Sequence, residues 1–153
     1  MASEEQAGAR PARRLPRRKR AATTEVRLGR RRSDGVAPSL YVWVERGVER
    51  RPRVAAALRG RIVFRFEENL SPLLLNFGDG LIEVSDADLA APDLTVSGRL
   101  PDIVALATAP HVLGVPNPVR PRGLSAILRL SSGRVAIEGD RGLALRLIRL
   151  LAL

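Results

Sequence analysis

The chain contains no cysteine, which removes disulfide bonds, zinc–thiolate centres and thiol nucleophiles from consideration. Its single histidine is His111, so neither a histidine metal cluster nor a paired-imidazole relay can be assembled. Aromatic residues make up 3% of the sequence, too few for the stacking platforms that hold single-stranded nucleic acid. No apolar run approaches the ~18 residues of a membrane-spanning helix. The paired arginines near the N-terminus lack the apolar segment that follows them in a secretory or twin-arginine signal. The expected compartment is the cytoplasm.

Positive charge is abundant but localised. The net charge is +10, yet residues 1–32 alone hold 11 Lys and Arg against Glu4, Glu5 and Glu25, and the rest of the chain sets 15 Arg against 13 acidic residues. Residues 1–35 therefore read as a disordered basic tail and residues 36–153 as one nearly neutral domain, large enough for a real core. The tail, with basic residues spread over residues 10–32, suits peripheral contact with an anionic membrane or nonspecific contact with nucleic acid. It suits equally a solvated extension with no role. Nothing in the body suggests a sequence-specific nucleic-acid reader.

Hydrophobic periodicity divides the domain into strands and helices. Pro38–Glu49 repeats Leu40, Val44 and Val48 at helical spacing, and a short helix over Arg53–Leu58 follows Pro52. Four alternating segments come next. Ile62, Phe64 and Phe66 share one face, as do Leu73, Leu75 and Phe77; Ile82 with Val84 and Leu94 with Val96 continue the pattern. Gly78-Asp79-Gly80 supplies a hairpin turn needing left-handed residues. Pro101-Asp102 opens a helix carrying Ile103, Val104 and Leu106. Four prolines between Ala109 and Gly123 predict a long irregular loop, followed by a helix with Leu124, Ile127 and Leu128. A fifth strand with Val135 and Ile137 inward then enters a terminal helix through Asp140, placed to cap it. The fold class is α+β, a five-stranded, mainly antiparallel sheet with helices over one face.

The terminal helix is more apolar than sheet packing requires. Leu143, Leu145, Leu147, Ile148, Leu150 and Leu151 point in several directions, and only Arg146 and Arg149 share a polar edge. A helix on a sheet needs an apolar stripe only ~100° wide. The excess must be covered by other helices, a partner or an apolar ligand.

Two segments resemble a known family. Pro92-Asp-Leu-Thr-Val-Ser-Gly98, followed by Leu100 and Ile103-Val-Ala-Leu106, is similar to the fourth strand and next helix of the sterol carrier protein type 2 (sterol-binding) domain. Ser132-Gly-Arg-Val-Ala-Ile-Glu-Gly-Asp140, with the apolar helix after it, resembles that family's closing strand and helix. The resemblance spans roughly residues 40–153 and is closest to small stand-alone bacterial members linked to lipid or ubiquinone biosynthesis. It implies a non-catalytic protein, without a cofactor, that holds an isoprenoid, sterol-like or acyl ligand and works beside a partner biosynthetic enzyme. The proline-rich loop and the basic tail depart from the family pattern.

A lipid site would draw its lining from the inward residues. On the strands these are Phe64, Phe66, Leu75, Phe77, Ile82, Val84, Leu94, Val96, Val135 and Ile137. On the helices they are Ile103, Leu106, Ile127, Leu143, Leu147, Ile148 and Leu151. The same residues could instead pack solidly. His111, in a Pro-flanked loop, reads as a surface residue, and Asp86-Ala87-Asp88 as turn formers. No nucleophile–base pair stands out. Two alternatives stay open: an assembly protein using the terminal helix as its interface, and nucleic-acid binding through the tail.

Overall fold

The computed structural model describes residues 24–29, 35–87, 91–112 and 115–152. Its elements are β1 (Glu25–Leu28), α1 (Val36–Arg50), α2 (Pro52–Ala57), β2 (Gly60–Phe66), β3 (Leu73–Phe77), β4 (Leu81–Asp86), β5 (Leu94–Gly98), α3 (Leu100–Thr108), β6 (His111–Val112), β7 (Val115–Pro116), α4 (Pro121–Ser131), β8 (Val135–Gly139) and α5 (Arg141–Leu151). The main sheet runs β1-β4-β3-β2-β5-β8. The β3–β4, β2–β3 and β5–β8 pairs are antiparallel, whereas β1–β4 and β2–β5 are parallel. The α+β class with a mainly antiparallel sheet holds, with six strands rather than five.

The added strand is β1, and it corrects the expected boundary of the basic tail. Glu25–Leu28 pairs in register with Leu81–Val84, and Glu25 N–H and Gly29 N–H donate to the Gly80 and Val84 carbonyls, both at 2.8 Å. Only two apolar residues, Val26 and Leu28, alternate there among charges, and Leu28 stays exposed. The strand is held by backbone pairing more than by burial. The rest of the tail expected to be disordered lies outside the described residues.

The region between Ala109 and Gly123 is also more regular than its prolines suggested. Strands β6 and β7 form a small antiparallel pair that sets His111 opposite Pro116, an arrangement proline tolerates in an edge strand. Pro121 starts α4, where its missing N–H costs nothing. In the hairpin between β3 and β4 only Gly80 is left-handed, with φ of 75°.

The helices cover one face of the sheet. Each strand directs alternate apolar residues toward them: Ile62 and Phe64, then Leu73, Leu75 and Phe77, then Ile82 and Val84, then Leu94 and Val96, all at most 4% exposed. Helix α5 is covered by α1 and α2 on one flank and by α3 and β5 on the other. Leu143, Leu147, Leu150 and Leu151 are buried, and of its large apolar side chains only Leu145 is exposed. Its N-terminus is capped as expected, the Asp140 carboxylate accepting from Gly142 N–H at 2.7 Å and Leu143 N–H at 3.0 Å. At the other end, the Arg51 guanidinium donates to the Ala152 carbonyl and ties the end of α5 to the α1–α2 junction.

His111 is not a surface residue. It is half-buried, and neither ring nitrogen reaches solvent or has a well-formed hydrogen bond among the described residues, the Ala109 backbone being a polar neighbour. Burial pushes its pKa below the ordinary histidine value; the Ala109 backbone opposes this and the Arg51 charge adds to it.

Candidate functional site

The two halves of the covered sheet face are filled differently. Leu75, Phe77, Ile82 and Val84 of β3 and β4 belong to the same buried core as the residues of the other strands, but none of them faces a cavity. Over β2, β5 and β8 the packing is incomplete, and a cavity of about 460 Å³ remains. That volume lies within the ~300–1,000 Å³ typical of small-molecule sites.

Its floor is the sheet: Phe64 and Phe66 from β2, Leu94 and Val96 from β5, Ile137 from β8. Its walls are three helices. Helix α1 contributes Val36, Ser39, Leu40 and Trp43; α3 contributes Leu100, Ile103, Val104, Leu106 and Ala107; α5 contributes Ala144, Leu147, Ile148 and Leu151. Gly35, Ser39 and Val104 are the exposed members of this lining, so solvent enters between the N-terminal end of α1 and α3. Among the described residues no lining residue is charged, and the Ser39 hydroxyl and the Trp43 indole N–H are the polar side-chain groups. A carboxylate or ammonium placed deep inside would find no partner and would carry the full penalty of desolvation.

The expected lining residues separate into two groups. Phe64, Phe66, Leu94, Val96, Ile103, Leu106, Ile137, Leu147, Ile148 and Leu151 surround the cavity. Leu75, Phe77, Ile82, Val84, Val135 and Leu143 are buried in packed core instead, and Ile127 lies half-buried on α4 without reaching it. The reason is lateral position. Helix α1 lies against β4, and period-2 alternation says which face a residue takes but not which helix lies above it.

The expected lining leaves out the wall from α1, Leu100 and Ala144, and also Val104 and Ala107, which the helical pattern places on the inner side of α3. The helical repeat of Leu40 and Val44 was visible, but an inward position beside a void has the same periodicity as one beside a leucine. Asp86 ends β4 and Asp88 lies outside the described residues. Among the described residues no group of three or more His, Asp or Glu is placed to hold a metal ion, and no helix is long and apolar enough to cross a membrane.

No protein-family model and no curated protein sequence matches the chain. Solved structures do. A ubiquinone synthesis protein described as UbiJ-SCP2 superposes with a TM-score of 0.52 at 17% identity, covering 76% of this chain and 85% of its own. The sterol carrier protein domain 2 of Helicoverpa armigera superposes with a TM-score of 0.54 at 22% identity, covering 80% of this chain and 92% of its own. Identities this low speak to architecture, and the architecture agrees over most of both partners: the chain has the sterol carrier protein fold.

Proposed function

We propose that the chain is a non-catalytic lipid-binding protein that holds one long apolar tail, isoprenoid, sterol-like or acyl, in the cavity between α1, α3, α5 and the sheet. The observation that carries the reading is a 460 Å³ cavity lined almost wholly by apolar side chains, with no charged group among the described residues. Removing about 300 Å² of hydrocarbon from water is worth about 7 kcal/mol gross. After the costs of association, affinity of micromolar order is expected. The uncharged lining and the opening beside Gly35 and Ser39 favour a bound molecule whose polar head stays at the mouth, presented to a partner enzyme.

Two observations support a carrier over the alternatives. The lining offers one hydroxyl, from Ser39, and no base to activate it. The surplus apolar surface of α5 faces inward, which removes the reason for assigning that helix to an assembly interface. The likeness of fold to a ubiquinone synthesis protein supports an accessory role in lipid or quinone biosynthesis.

The test combines extraction with titration. Gently purified protein, extracted with organic solvent and examined by mass spectrometry, should release a prenyl, sterol or acyl species. Trp43 is the only tryptophan and lies in the cavity wall, so its fluorescence should change saturably on adding farnesol or palmitate. An empty extract together with a silent Trp43 would sink the proposal.

A further inference from the structure

Helix α4 is built inside out. Its buried residues are Gly123 and Ala126, the smallest it has, while Leu124 and Leu128, one turn apart, are 48% and 58% exposed. Val119, just ahead of it, is 85% exposed. A helix whose only task was to cover the core would turn its leucines inward. At Gly123 no side chain is possible, because a Cβ there would run into the Asn117 backbone carbonyl of the preceding turn. Leu130 packs against the core, but Leu124 and Leu128 are turned outward.

Along the sequence the charge near them has one sign. Between Asp102 and Glu138 the sequence has no Asp or Glu, but it has Arg120, Arg122, Arg129 and Arg134. Arg129 is engaged by Asp102 at 2.8 Å. Arg120 and Arg122 are exposed beside the start of the helix, and neither has an ion pair among the described residues. Exposed leucines on an outward face beside unpaired arginines are the composition of a helix lying in a lipid headgroup layer. Two leucines and a valine fall well short of the ~800 Å² per partner that a stable protein interface buries.

We infer that α4 seats the protein on an anionic lipid surface, with Leu124 and Leu128 at the headgroup–acyl boundary and Arg120 and Arg122 against lipid phosphates. This contact is separate from the one expected of the basic residues 10–32, and it stands whether or not the cavity carries a lipid. Its placement suits a carrier, since α4 packs on α3, whose exposed Val104 belongs to the cavity wall.

The experiment uses the full chain, which has no cysteine and so accepts a single engineered label. Leu128→Cys carrying a nitrobenzoxadiazole fluorophore is compared with Asn76→Cys, on the uncovered sheet face. The vesicles are phosphatidylcholine with and without one quarter phosphatidylglycerol. The label at position 128 should shift to the blue with the mixed vesicles and the label at position 76 should not. Leu124→Ser/Leu128→Ser should weaken partitioning about ten-fold or more, and Arg120→Gln/Arg122→Gln about five-fold per charge. Because the arginines are exposed, the second pair keeps the test decisive if the first disturbs folding. Three results would overturn the inference: a silent label at position 128 on a chain that still sediments with vesicles, serine variants that partition like the parent, or the same blue shift from self-association without lipid.

Discussion

Buried groups that lack a partner concentrate the consequences of single substitutions. The His111 imidazole, sheltered and without a well-formed hydrogen bond among the described residues, has its pKa held below the ordinary histidine value chiefly by burial. Over the interval between the folded and unfolded pKa values, the unfolded chain binds a proton that the folded chain refuses. Stability therefore rises with pH there and falls on acidification from about pH 7 toward pH 5. Thermal melts of parent and His111→Leu across that range should show a shallower decline in the variant. At pH 7 the variant should melt no lower than the parent, because it replaces two unsatisfied nitrogens with carbon; identical slopes would refute this account. Ala144 offers the complementary experiment. It lines the void and is 8% exposed, so Ala144→Phe should fill space while keeping the far-ultraviolet circular dichroism of the parent. Loss of at least about ten-fold in affinity for apolar probes is expected, read from Trp43 fluorescence.

Elements here meet at distances fixed by small residues. Helices α1 and α5 approach so closely at Gly47 that a Cβ there would lie 2.6 Å from the Leu150 carbonyl oxygen and 3.2 Å from its Cγ. A backbone carbonyl within a helix cannot swing aside, so Gly47→Ala should force the helices apart despite alanine's better helix propensity. A loss of about 1–3 kcal/mol in urea unfolding is expected; a stabilised variant would show that the helices slide freely. Sequence patterning found most of these elements because alternation and the helical repeat report which way a side chain faces. It extracted β2 from Ile62, Phe64 and Phe66, and α5 from its leucines and the Asp140 cap. It lost β1, where two apolar residues among arginines and glutamates carry too little hydrophobic signal. It lost β6 and β7 because prolines that forbid a helix interior still allow an edge strand and a helix start. The outward leucines of α4 were read simply as a helical repeat, since spacing does not distinguish a face turned to the core from one turned to solvent.

At the scale of the whole molecule, the asymmetry between the two halves of the sheet matters most. The β3–β4 half carries no cavity, whereas over the β2–β5–β8 half helices α1, α3 and α5 leave space between themselves and the sheet even though α3 and α5 both reach β5. That difference was not legible in the sequence, because Leu75 over a packed half and Leu94 over a hollow half are written with the same letter and the same alternation. Only the lateral order of strands and the crossing of α1 over the sheet separate them. The hollow half also gives the molecule an unusual mechanical weakness. Unfolding eliminates internal voids, so compression favours the unfolded chain by an amount that grows with the empty space lost. Empty protein should accordingly denature at lower hydrostatic pressure than protein loaded with an apolar ligand, by more than their melting temperatures alone would suggest. High-pressure fluorescence of Trp43 would read the difference, and matched midpoints in loaded and empty samples would mean the interior had already collapsed. A body that must keep room for cargo is softest when it travels without one.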